Sequence, residues 1–303
     1  ANGAFSFANA FANGTAYSVT VPSQPTGQTC TVSNGSGTFT GTGVTNVSVS
    51  CNGNPLTLGV PRFAYVADRF FNNVPAFTIN ATTGALTSTG PGIASGAVPA
   101  SVTADPLGQF LYTADFGSNS ISGYTVNATT GALTVIAGTP TATGSQPNFV
   151  KVHPSGKFLY SVNFASANVS AFSINATTGV LTTITGSPFA SGGSPVSMAI
   201  DSLGRFAYVA AQSGGVSAYR IDATSGALTP LTGSPFAGTA NGSGIAIDPL
   251  SRFAYVTDNT SSSVTVYSLN SSSGALTAVA SSTVATGGNP VSVAIDPLGK
   301  FAY

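Results

Sequence analysis

The sequence predicts an all-β fold of repeated four-stranded blades, and three observations lead there. Phe-Ala-Tyr or Phe-Leu-Tyr recurs at Phe63, Phe110, Phe158, Phe206, Phe253 and Phe301, at steps of 47 or 48 residues. Thr-Gly-x-Leu-Thr or Ser-Gly-x-Leu-Thr keeps the same step, with glycines at Gly84, Gly131, Gly179, Gly226 and Gly274. The composition is rich in Gly, Ser, Thr, Ala, Asn and Val, which favours turns and strands over long helices. Two markers in one period mean a tandem repeat, and a β-rich repeat of this length reads as a blade of a β-propeller.

The fourth repeat shows how one blade is assembled. Pro195 to Ile200 alternates Val, Met and Ile with small residues, as a half-buried strand does. Asp201-Ser202-Leu203-Gly204 forms a turn, Arg205 to Ala211 the second strand, and Gly214-Gly215 the next turn. Val216 to Ile221 follows, then the turn Asp222 to Gly226, and Ala227 to Leu231 closes the unit.

The chain divides near residue 57, into 1–57 without the repeat and 58–303 with it. The first segment holds both cysteines, Cys30 and Cys51, among short alternating stretches: Tyr17–Val21, Cys30–Val32 and Val44–Cys51. Two cysteines in strands separated by Asn34-Gly35 suggest a strand-to-strand disulfide, the other reading being two buried thiols. A loop of ~20 residues closed this way stabilises by about 3 kcal/mol on the chain-entropy model. A disulfide implies an oxidising compartment, and so an exported protein at the cell surface or outside the cell.

From the strand at Arg62 the chain completes five units and reaches Tyr303 within a sixth. A closed ring of six or seven blades therefore needs strands beyond those given. Two expectations follow: the sequence is a fragment, or a neighbouring copy supplies the strands by adding to an open edge.

Charge is scarce. There are 8 basic and 8 acidic residues, Glu and Trp are absent, and there is one His. Charged residues make up 5% of the chain, against roughly 25% in an ordinary domain. Zero net charge gives no footprint for nucleic acid or an anionic membrane, and no stretch approaches the ~20 apolar residues of a membrane-spanning helix. No partner of either kind is expected, nor membrane insertion. The low-charge surface instead favours self-association, or contact with other surface proteins and glycans.

Repeat positions account for most charges. Asp105, Asp201, Asp248 and Asp296 precede a turn, and Arg62, Lys157, Arg205, Arg252 and Lys300 precede the Phe. Asp at such a place caps its own turn and pairs with the base four residues on. His153 replaces Asp in the third blade, which gives it a structural role. Asp68, Asp115, Asn163 and Asp258 end the Phe-x-Tyr strand, with Ala211 in the fourth blade, and form a polar ring on one face. The ring reads either as turn caps or as a ligand or cation site, because oxygen ligands suit Ca²⁺. Its spacing lacks the density of a calcium loop, so no metal and no cofactor are assigned. Asn80, Asn127 and Asn175 sit in Asn-x-Thr triplets whose shared position is explained by turn chemistry.

Two resemblances come from particular segments. Ser18–Val21, Gln24–Val32 and Val44–Cys51 resemble a small cysteine-bridged β-sandwich module of bacterial exported proteins, with its first strands missing. Tyr255-Val256-Thr257-Asp258 and Tyr160-Ser161-Val162-Asn163 resemble the Tyr-Val-Thr-Asn repeat of bacterial surface propellers. With the Thr-Gly-x-Leu-Thr turns, residues 61–303 are similar to the lactonase-like seven-bladed propeller family.

That resemblance implies hydrolysis of a sugar lactone, which needs a general base and, for a phosphorylated sugar, cations. The bases outside the repeat are Arg69, Lys151 and Arg220. No Glu, no second His, no Ser-His-Asp order and no Gly-x-Gly-x-x-Gly fingerprint accompanies them, so no catalytic residue is assigned. The expectation drawn from the residues is a non-enzymatic extracellular scaffold, adhesive protein or surface-filament subunit that self-associates. The alternative is a lactonase-like hydrolase.

Overall fold

A computed structural model describes residues 12–21, 28–40, 44, 47–53, 62–238, 240–280 and 283–303. The chain separates into two compact units. In the first, Ala16–Ser18 pairs with Ser36–Thr38, and Gln28–Ser33 pairs with Ser48–Gly53. Ser36–Thr38 is polar and exposed, so it lacks the alternation by which a strand is recognised in sequence. The register sets Cys30 opposite Cys51. Their side chains, and hence the expected disulfide, lie outside the described residues.

The second unit is the propeller. Blade 2 orders Pro99–Ala104, Phe110–Asp115, Ser120–Val126 and Leu133–Val135 side by side, all antiparallel. Blade 3 repeats the order with Pro147–Val152, Phe158–Asn163, Asn168–Ile174 and Leu181–Thr183. Blade 4 uses Gly193–Ile200, Phe206–Ser213, Val216–Ile221 and Leu228–Pro230. Blade 5 uses Gly242–Ile247, Phe253–Asp258, Ser263–Leu269 and Leu276–Ala278. In blade 1, Phe63–Tyr65, Ala76–Ile79 and Leu86–Ser88 form the corresponding sheet. Past blade 5, Ile295 and Ala302 form a single antiparallel bridge.

The first strands of consecutive blades lie against one another, so they are the innermost. Blades pack face to face, which buries the second strand on both sides. Phe110–Asp115 and Phe158–Asn163 are buried at every position. Between blades 3 and 4 the contact is made by Tyr160, Val162, Met198, Val209 and Tyr219. Between blades 4 and 5, Tyr208, Ala210, Ile245, Val256 and Tyr267 take the same part.

The two sequence markers meet across each boundary. The hydroxyl of Tyr65 donates to the Gly131 carbonyl at 2.9 Å, and that of Tyr112 to Gly179 at 2.7 Å. Tyr160 donates to Gly226 at 2.8 Å and Tyr208 to Gly274 at 2.7 Å. The phenylalanine two residues earlier lies on the same glycine: Phe63 on Gly131, Phe110 on Gly179, Phe158 on Gly226 and Phe206 on Gly274. These glycines have φ between 72° and 78°, and a Cβ would overlap the ring. Glycine is thus required twice, for its left-handed backbone and for the space.

Replacing Gly179 by Ala tests this. Gly138 has φ 86° with open space around it, so Gly138→Ala carries only the backbone cost of about 1–2 kcal/mol. Gly179→Ala adds overpacking against Phe110, about 1–3 kcal/mol more. Urea denaturation of the two variants will show the larger loss at Gly179.

Candidate functional site

Each blade has two ends, set by the hairpin between its first and second strands. At one end is the turn at Asp105, Asp201 or Asp248. At the other the second strand finishes beside the residue that opens the first, as Asp115 beside Pro99, Asn163 beside Pro147 and Asp258 beside Gly242. Asp115, Asn163 and Asp258 therefore lie at one common end of their blades, at the mouth of the innermost strands.

Its members are engaged. Asp115 is buried; its carboxylate accepts from Thr113 Oγ1 at 2.8 Å and Ser122 Oγ at 2.7 Å. Burial raises its pKa against the lowering effect of these hydroxyls. Asn163 accepts from Ser161 Oγ and donates through Nδ2 to Asn168 Oδ1 at 2.8 Å and Ser170 Oγ at 2.9 Å. Asp258 accepts the N–H groups of Ala240, Asn241 and Ser261. Burial acts to raise its pKa, but the N–H groups outweigh it and hold the carboxylate below the usual range. Asp68 accepts the N–H groups of Phe70 and Phe71. Capping occupies these oxygens, and no group of three or more metal-ligating side chains occurs among the described residues.

Serines on the third strand, missed in the sequence reading, complete the pattern. Ser122 accepts the N–H of Gly96, Ser170 that of Gly144 and Ser217 that of Gly192. Their spacing of 48 and 47 residues was the available signal. The loops they hold enter the first strand through a left-handed residue before proline: Val98 (φ 54°), Gln146 (φ 56°) and Ser194 (φ 53°). A β-branched residue such as Val98 is strained there. Its N–H donates to Asn72 Oδ1 at 2.7 Å, and that of Gln146 to Asn119 Oδ1 at 2.7 Å.

The bases outside the repeat are dispersed. Arg69 lies 5.6 Å from the Phe116 ring centroid and Arg220 5.0 Å from that of Phe206. Lys151 alone is on an innermost strand, between the buried Val150 and Val152. It keeps contact with solvent, yet desolvation by the surrounding strands lowers its pKa. No carboxylate pairs with it among the described residues.

His153 lies at the opposite end. It is buried, with Nδ1 beside Ser155 Oγ and Nε2 beside the Gly204 carbonyl, both at 2.8 Å. Burial lowers its pKa, which keeps the imidazole neutral and structural. A cleft of ≈ 200 Å³ lined by Thr143, Gly144, Ser170 and Phe172 is below the ~300 Å³ at which ligand pockets begin.

The model of the lactonase family, a 7-bladed β-propeller, matches residues 27–144, 136–234 and 227–303. The chain belongs to this family. No curated protein matches it. Among solved structures, a functionally unknown protein from Desulfotomaculum acetoxidans is similar at 20% identity and a TM-score of 0.62, over 78% of this chain and 70% of that one. The periplasmic gluconolactonase of Pseudomonas aeruginosa is similar at 20% identity and a TM-score of 0.57, over 72% of this chain. This chain spans 64% of that enzyme's length. At these identities the likeness is one of fold.

Family membership corrects the main functional expectation. A non-enzymatic extracellular scaffold, adhesive protein or filament subunit was inferred from scarce charge and the absence of a known catalytic order. A family of hydrolases carried on this repeat overturns that inference. Scarce charge describes the surface, and hydrolysis of an activated ester needs only a few groups.

The Asp115 site yields a prediction with a definite sign. Its folded pKa is raised above the ordinary 3.8, so ionisation destabilises the fold as pH rises through that interval. Asn163 already serves at this position in blade 3. Asp115→Asn should therefore gain stability relative to the wild type between acidic and neutral pH, read as a growing difference in urea midpoints.

Proposed function

We propose that this protein is a lactonase-like hydrolase that opens a sugar lactone to its hydroxy acid. The observation that carries the reading is the family match from residue 27 to 303. The gluconolactonase with the same fold supports the substrate class.

In lactone hydrolysis the oxygen of water bonds to the carbonyl carbon and the ring C–O bond breaks. The proton released by water ends on the leaving alkoxide. Negative charge develops on the carbonyl oxygen, so a fixed cation is the group most worth having. Lys151 meets that need by its place on the innermost strand, its solvent contact and its lack of a carboxylate partner. The hydroxyls and left-handed loop at the mouth hold the start of the same strand, at Pro147, and Lys151 lies toward its far end.

Hydrolysis of gluconolactone and of its 6-phosphate, followed by acid release, tests the reading. Lys151→Ala is expected to lower kcat/KM about 10²-fold. Lys157→Ala, in the exposed turn that follows the strand, leaves it unchanged. Because desolvation lowers the Lys151 pKa, the rate falls with rising pH below the ordinary lysine value of 10.5. Failure to hydrolyse either lactone above the uncatalysed rate contradicts the proposal.

A further inference from the structure

The end of the propeller opposite the mouth carries exposed leucines at one repeat position. Leu107, Leu203, Leu250 and Leu298 are 79%, 69%, 67% and 71% exposed. Each sits in the turn between first and second strands, two residues after the capping aspartate. Turn chemistry does not call for leucine there; Asn, Asp, Ser and Gly are the usual choices, and Ser155 stands in blade 3.

The tips are rigid and joined. Asp105 accepts the N–H groups of Leu107, Gln109 and Phe110, and Asp201 accepts those of Arg205 and Phe206. Neighbouring tips touch through His153 and the Gly204 carbonyl, then through Ser202 Oγ and Ser251 Oγ at 2.9 Å. Leu203 and Leu250 thus project from turns that are joined to each other and to the turn of blade 3, with Leu107 and Leu298 at the same repeat position on either side.

Charge is sorted by depth on this face, although the chain is neutral overall. Asp105, Asp201 and Asp248 are buried beneath the turns, with their oxygens taken by backbone N–H groups or by Arg205 and Arg252. Lys157, Arg220, Arg252 and Lys300 are exposed. Asp296 is half-buried, and Asp222, exposed at the same end, is held by Thr224 and Ser225. What approaches this face meets leucine and positive charge first.

We propose that this face docks on an anionic lipid bilayer, with the leucines in the interfacial layer and the bases at the headgroups. A second copy is disfavoured, because face-to-face stacking opposes bases to bases. A protein partner is disfavoured by the absence of aromatic anchors among the turn residues and by the protruding, separate leucines. A fluid bilayer accommodates such points without a complementary surface. Docking leaves the mouth of the innermost strands turned toward solvent.

The test is sedimentation of the 303-residue chain with vesicles of phosphatidylcholine alone or with phosphatidylglycerol, over a range of salt. The wild type should partition onto the anionic vesicles and lose binding as salt rises. Leu107→Ser/Leu203→Ser/Leu250→Ser should bind at least tenfold more weakly with an unchanged melting curve, since the replaced side chains are exposed. Equal binding by both proteins, or none by the wild type, overturns the proposal. A leucine-dependent dimer without vesicle binding overturns it as well and assigns the face to a second copy.

Discussion

Each boundary from blade 1 to blade 5 depends on one contact, the phenylalanine and tyrosine of one blade closing on a glycine of the next. The phenolic hydroxyl satisfies a buried carbonyl, which otherwise costs about 1–3 kcal/mol. The ring two residues earlier fills the space where a Cβ would stand. Because Tyr112, Tyr160 and Tyr208 are wholly buried, burial also raises their pKa values and keeps them neutral donors. The clasp fixes both the distance and the rotation between blades. The mouth and the turn face inherit their order from it.

Much of the fold was legible because its periodic signals are the residues that make this clasp. Phe-x-Tyr and Thr-Gly-x-Leu-Thr recur together because they touch, one repeat apart. The pairing of Asp201 with Arg205 and of Asp248 with Arg252 was legible too, since both partners lie in one turn. Ser36–Thr38 was not, because a short exposed polar strand takes its identity from Ala16–Ser18 rather than from its own pattern. Ser122, Ser170 and Ser217 were hidden among many serines, although they share the repeat step.

The candidate site was less legible for a physical reason. Asp68, Asp115, Asn163 and Asp258 share a repeat position, but position in the repeat does not reveal whether an oxygen is free. Their oxygens prove to hold N–H groups and hydroxyls. Lys151 carried no repeat signal, and its interest comes from the innermost strand and the desolvation there. One copy of a lysine leaves no pattern to find.

The most direct test of the clasp is hydrogen exchange on Tyr160→Phe, which removes the hydroxyl that joins blade 3 to Gly226 of blade 4. If the clasp couples blades, protection falls in both Phe158–Asn163 and Leu228–Pro230, in proportion to the loss of stability. Loss confined to the blade that holds the substitution would contradict the account and make each blade an independent unit.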